Sequence, residues 1–225
     1  VTQSVFLGNS VSEGGGGAIR NNMSGSPNFT NCLFTENTAA TFGGAVRNSN
    51  SGVTVLINCT FSANSAGSGT AFASTPDDGG SQSACVLQVV NCILWNGGDE
   101  IYNDDRSTVN VNYSNVQGGS GRGSWSGQGN IDIDPCFANP DIGDYHLTSK
   151  TGRWDRNSQS WIQDEVSSPC IDAGNNAAPG LPGIDFEKDN RIIHGTVDMG
   201  VDEADIAELL ISSTGGGSVT VPGEG

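Results

Sequence analysis

The sequence predicts an all-β protein: a right-handed parallel β-helix (a solenoid) ending in a C-terminal irregular capping region. Three observations lead there. Short motifs recur through the first half of the chain, their large apolar residues keep phase from copy to copy, and no amphipathic helical stretch separates them.

The first motif reads Ser4-Val5-Phe6-Leu7-Gly8-Asn9, then Cys32-Leu33-Phe34-Thr35-Glu36-Asn37 and Cys59-Thr60-Phe61-Ser62-Ala63-Asn64. A fourth copy, Cys92-Ile93-Leu94-Trp95-Asn96, is one residue shorter. The second motif is Gly16-Gly17-Ala18-Ile19-Arg20-Asn21 and Gly43-Gly44-Ala45-Val46-Arg47-Asn48, with weaker copies at Gly69–Ser74 and Asp99–Asn103. Phe6 to Phe34 is 28 residues, Phe34 to Phe61 is 27 and Phe61 to Leu94 is 33. Coils of common core and variable loops give such a drifting period. Each copy reads as short strands broken by Gly and Asn turns, which excludes helical solenoids and leaves a β-solenoid.

Period-two alternation puts Cys32 and Phe34 on one face of a strand and Leu33 on the other. Stacked coils then build interior columns: Ser4, Cys32, Cys59 and Cys92; Phe6, Phe34, Phe61 and Leu94; Ile19, Val46, Phe72 and Ile101. Burying each large member contributes roughly 1.5–3 kcal/mol. Asn9, Asn37, Asn64 and Asn96 fall at one turn, where stacked amides form a hydrogen-bonded ladder. A disordered chain is the competing reading. Gly 33 and Pro 8 of 225 residues fall short of the roughly 25–30 % typical of such segments, and phase-locked columns have no place in one.

Six cysteines invite a disulfide framework. Parallel side chains about 4.8 Å apart on adjacent coils do not suit one, since a bridge needs Cβ atoms roughly 3.5–4.5 Å apart. Cys32, Cys59 and Cys92 therefore read as small buried hydrophobes, while a Cys136–Cys170 bridge stays open. Zinc is disfavoured, because no C-x-x-C pair exists and only His146 and His194 are at hand.

A formal charge of -16 argues against nucleic acid, whose phosphates demand clustered cations, and against an anionic membrane surface. No apolar run is long enough to insert directly in a membrane as a helix. The acidic, Lys-poor composition suits a protein working outside the cell. Residue 1 falls within a repeat, so the chain reads as part of a longer precursor. The open edge of its first coil would let another chain pair, the self-association reading.

Candidate site residues are few. Arg20 and Arg47 recur at equivalent outward positions with Tyr102 two coils on, either a stripe that touches a sugar or plain solvated surface. Asp77-Asp78 and Asp104-Asp105 read as turn residues. Asp185, Glu187 and Asp189 alternate and would suit calcium, though the Gly of a calcium loop is missing. Asp132, Asp134, Asp141 and Asp144 are a second acidic group, and turns are the default for both. Trp154 and Trp161, with Arg153 and Arg156, lie in an insertion. They serve either as a sugar-stacking platform or as a cover for the solenoid's end, and the cover is the favoured role.

From about residue 114 the repeat decays into an ordered series: Asp134-Pro135-Cys136-Phe137, Gly143-Asp144-Tyr145-His146-Leu147, Ser168-Pro169-Cys170-Ile171-Asp172-Ala173-Gly174, Arg191, and Asp198-Met199-Gly200-Val201-Asp202-Glu203. This series resembles bacterial right-handed parallel β-helix proteins of the choice-of-anchor Q type. The GGA and F-x-x-N repeats are similar to those of the chlamydial polymorphic outer-membrane proteins. The resemblance implies a pectate-lyase-like superfold on an exported, surface-attached bacterial protein. The decay of the repeat and the final Gly run divide the chain into coils over 1–130, a C-terminal coil and capping region over 131–203, and a short element with a Gly-rich linker over 204–225.

Enzymes of that superfold need paired acids on adjacent coils, or calcium with a Lys or Arg base. The repeats hold no acidic column, and Lys150 and Lys188 lie outside them. The expected function is therefore a non-catalytic extracellular or cell-surface module, a stalk or adhesin that binds polysaccharide or cell-surface glycan. A polysaccharide lyase or glycoside hydrolase is the first alternative, and a self-assembling surface layer or filament the second.

Overall fold

The computed structural model describes residues 1–75, 83–103, 107–118, 125 and 127–204. Asp77, Asp78, Asp104 and Asp105, and nearly all of 204–225, lie outside the described residues. The described chain is all-β apart from one short 3-10 turn, Pro140–Ile142. Its strands stack into three parallel sheets that the chain visits in rotation, the arrangement expected of a parallel β-helix.

The first sheet joins Val5–Leu7, Leu33–Thr35, Thr60–Ser62, Ile93–Trp95 and Asn115–Val116. The second joins Ile19–Asn21, Val46–Asn48, Phe72–Ser74 and Ile101–Asn103. The third joins Asn28–Thr30, Val53–Ile57, Val86–Val90 and Thr108–Asn112. Register follows the repeats: Phe6 pairs with Phe34, Phe34 with Phe61, and Phe61 with Leu94. Ile19, Val46, Phe72 and Ile101 align likewise. The third sheet adds a column that the motifs had not revealed, Phe29, Leu56, Val89 and Val111. These columns meet in one core. Within it the Phe6, Phe34 and Phe61 rings stack at 4.5 and 4.4 Å.

Turn chemistry holds the coils in phase. Asn9, Asn37 and Asn64 each donate through Nδ2 to Oδ1 of the next Asn at 2.8 Å, ending on Asn96. The Asn96 amide in turn donates to buried Glu100. Gly43 sits at φ +63°, and a Cβ there would lie 2.2 Å from the Val46 carbonyl oxygen. A Cβ at Gly44 would lie 2.2 Å from Thr70 O of the next coil. The Gly-Gly-Ala motif thus records one left-handed residue and one close approach between coils.

None of the six cysteines is in a disulfide. Cys32, Cys59 and Cys92 are fully buried, and burial pushes the Cys59 thiol well above its ordinary range. Cys170 accepts a hydrogen bond from Asn115 Nδ2 at 3.2 Å and forms no bridge to Cys136.

The C-terminal region differs from the expected end cap: it lies along the flank of the coils. Asn175 N donates to Asn91 Oδ1, Asn58 Nδ2 to Asp198 O, Asn31 Nδ2 to Ile184 O, and Gln3 Nε2 to Asp185 O. Those partners step through four successive coils. Ile93 and Leu33, which point outward from the first sheet, are buried beneath Leu147, Cys170 and Met199 and beneath Tyr145 and Val201. An outward apolar face explains the placement, because covering it removes that apolar surface from water.

Candidate functional site

The site forms where four C-terminal segments meet on that flank. Strand Asp144–Leu147 pairs antiparallel with Phe137–Asn139. Alternation buries Tyr145 and Leu147 and leaves Asp144 and His146 on the other side. The hairpin of Arg153–Asp155 and Ser160–Ile162 sets Trp154 opposite Trp161, ring centroids 6.1 Å apart and edge-on. A turn at 185–189 is organised by buried Asp185, whose Oδ1 accepts from Glu187 N and Asp189 N and whose Oδ2 accepts from Glu203 N. Phe186 N donates to Val201 O at 3.1 Å, tying this turn to 198–204.

Buried Arg191 anchors the last segment, donating from Nη1 to Val201 O at 2.8 Å and from Nη2 to Asp198 O at 3.2 Å. Asp198, Asp202 and Glu203 surround it, all nearly inaccessible. Burial pushes all three carboxyls up, Asp202 to about 6.

An open cavity of about 350 Å³ lies between these segments, lined by His146, Arg153, Trp154, Arg156, Trp161, Glu187 and Asp202 among others. His146 Nδ1 contacts Asp144 Oδ1, and Nε2 lies 3.1 Å from Glu187 Oε2. Burial works to lower the imidazole's pKa, but the bonds to Asp144 and Glu187 outweigh it and carry it to about 10. Glu187 Oε2 also meets Arg156 Nη2 at 2.6 Å. Arg153 pairs with Asp164 through Nε at 2.9 Å, while its buried Nη1 has no hydrogen-bond partner. His146 Nε2 and one oxygen from each of Glu187 and Asp202 lie within 4.8 Å of one another.

The sequence-selected residues divide sharply. Trp154 and Trp161 stay partly exposed at 37 and 51 % and line the cavity. Arg20 and Arg47 do pair in register with Tyr102 beyond, yet they make no uniform outward stripe. Arg20 is exposed, whereas Arg47 is buried with its guanidinium 5.6 Å over the Phe42 ring and Nε donating to Thr75 Oγ1. Phe42 and Tyr102 stack at 5.4 Å.

Of the proposed calcium residues, Glu187 and exposed Asp189 line the cavity, while Asp185 spends both oxygens on backbone amides. Asp132 and Asp134 accept turn amides from Gly118 and Cys136, and Asp144 holds His146. Sequence reasoning missed His146, Arg191 and Asp202 as members of one cluster. The available signal was the alternation in Asp144-Tyr145-His146-Leu147, which places a histidine and an acid together on the polar side.

The class the coordinates define is an all-β protein of stacked parallel sheets with a polar cavity on its flank. One family model, described as "Disaggregatase related", matches residues 100–174. The matched stretch carries His146, Arg153, Trp154 and Trp161, while Glu187 and Asp202 lie beyond it. No curated protein and no solved structure matches the chain. Among the described residues no helix is long and apolar enough to cross a membrane.

Proposed function

We propose that this chain is a right-handed β-helix module of an exported or cell-surface bacterial protein, of the choice-of-anchor Q type, and that it binds a glycan in the flank cavity. One observation carries the reading: two partly exposed Trp rings share a cavity with charged hydrogen-bonding groups. Sugars present apolar ring faces edged by hydroxyls, and such a wall satisfies both. The unmatched Arg153 Nη1 adds a buried donor in want of an acceptor. The disaggregatase-related match supports a surface or secreted β-helix module.

Calorimetric titration with neutral and acidic oligosaccharides tests it. Trp161→Ala is expected to weaken binding by about tenfold at unchanged fold, the scale of a lost aromatic contact. Saccharide binding that is indifferent to both Trp154→Ala and Trp161→Ala would sink the assignment of this cavity.

A hydrolase reading is favoured by one feature. The Glu187 and Asp202 carboxylates approach within 4.8 Å, and burial raises Asp202 to about 6, so it keeps its proton to a higher pH than an ordinary aspartate, as a general acid does. Release of reducing ends from a polysaccharide, lost in Glu187→Gln, would establish it. No release of reducing ends from any polysaccharide tried would leave the binding module.

A further inference from the structure

A groove lies on the outward face of the third sheet, beside the C-terminal region. It encloses about 510 Å³ and is lined by Val55, Gln88, Asn110, Asn112, Tyr113 and Pro179 among others, within the range of about 300–1,000 Å³ usual for ligand sites. We propose that this groove is a second binding site, which takes a segment of an uncharged, extended polysaccharide. It shares no lining residue with the cavity of Trp154 and Trp161.

Strand register builds the floor. Val55 pairs with Gln88 and Gln88 with Asn110, and alternation turns all three outward, away from buried Leu56, Val89 and Val111. The walls are fixed to that floor. Asn175 N donates to Asn91 Oδ1 at 2.8 Å and Asn91 Nδ2 to Asn175 O at 3.2 Å, which pins the segment carrying Pro179. Tyr113 N donates to Gln128 O at 2.7 Å and Gln128 N to Asn112 Oδ1 at 3.1 Å. Walls tied in this way have little freedom left to lose when a ligand enters.

The polar groups of the groove are unspent. Elsewhere the coils use their amides on each other, as in the ladder from Asn9 to Asn96 and in the bond from Asn21 to Asn48. Gln88 and Asn110 stand in register on adjacent coils, yet their amides, like the Tyr113 hydroxyl, make no hydrogen bond among the described residues. Both amides are exposed into a concave site.

Their chemistry selects the ligand. A carboxamide offers two donors and an acceptor, the complement of a sugar hydroxyl that both gives and takes a hydrogen bond. Val55, Pro179 and the Tyr113 ring supply apolar surface for sugar ring faces. No charged side chain lines the groove among the described residues, so an ionic ligand finds no partner, and a net charge of -16 repels acidic chains at long range. Coils about 4.8 Å apart repeat at close to the rise of one residue in an extended sugar chain, so successive sugars meet successive coils. An extended peptide is disfavoured, because the floor is a sheet face whose strand Val86–Val90 is paired on both sides and offers no edge to extend.

The test is calorimetric titration of a Trp154→Ala/Trp161→Ala double variant, which removes the aromatic wall of the other cavity, with cello-, manno- and xylohexaose. Saturable binding of at least one of them is expected, weaker for the corresponding disaccharide and absent for hexagalacturonate. Gln88→Ala and Asn110→Ala, made in that background, should each weaken it by about fivefold, the scale of one net hydrogen bond. Both residues are exposed, and circular dichroism checks each fold; should one variant misfold, the other decides. No binding of any neutral hexaose, equal binding of hexagalacturonate, or affinity unchanged in a folded Gln88→Ala or Asn110→Ala chain would overturn the site. Because the double variant lacks the two tryptophans, the assignment of the flank cavity and that of this groove can each fail alone.

Discussion

Glu100 shows how much one side chain can hold in a repeat fold. It is 2 % exposed and its carboxylate accepts from Asn96 N, Asn96 Nδ2, Gly98 N and Thr70 Oγ1. It closes the asparagine ladder that began at Asn9. Burial pushes its pKa above the ordinary 4.5, and the hydrogen bonds pull back only in part. A carboxyl raised in the folded state binds its proton more tightly there than in the unfolded chain. Its ionisation therefore costs stability as pH rises from about 4.5 through the folded value. Glu100→Gln removes that term. The stability of the native chain minus that of the variant should fall as pH rises from 4.5, read from denaturant midpoints at several pH values. A difference that grew with pH would contradict the assignment.

At the scale of the strand, the unit of stability is the column and not the single coil. Phe34 is fully buried with Phe6 and Phe61 stacked on either side. Its truncation leaves a cavity that neighbouring strands, fixed by parallel ladders, fill poorly. Phe34→Ala should destabilise by about 3–5 kcal/mol in chemical denaturation. A cost near zero would mean that the column is not packed as described. This element was legible beforehand, because the phenylalanine repeats at the coil period and side-chain alternation fixes which way it points. The third sheet was not: Asn28–Thr30, Val53–Ile57 and Val86–Val90 share no residue pattern beyond apolar alternation, which a single sequence cannot phase.

Across the whole molecule, the C-terminal region and the coils stabilise each other. Arg191 is the hinge of that contact, its guanidinium capping the carbonyls of 198–201, a segment that itself bonds to Asn58, Thr60 and Asn91. Arg191→Met should cost about 3–5 kcal/mol, since its removal leaves Asp198 and Glu203 buried without a cation. Hydrogen exchange should quicken first over 170–204 while the inward-facing columns keep their protection. Equal quickening in both parts would show that they open as one unit.

The sequence by itself determined the coil architecture, the register of two columns, the asparagine ladder and the free thiols of the cysteine column. All of these follow from local periodicity, and stacking repeats it coil after coil. Only the tertiary structure decided where the C-terminal region lies and what its polar residues do. Leu33 and Ile93 look like outward residues of a solvated sheet until a distant segment covers them. His146, Glu187 and Asp202 are separated by 41 and 15 residues, and no spacing rule joins them. Arg47 has the sequence context of Arg20 yet is buried, its guanidinium packed over the Phe42 ring, which itself stacks on Tyr102. Repetition makes a core readable one coil at a time, whereas a site assembled from irregular segments depends on contacts that exist only once the chain has folded back on itself.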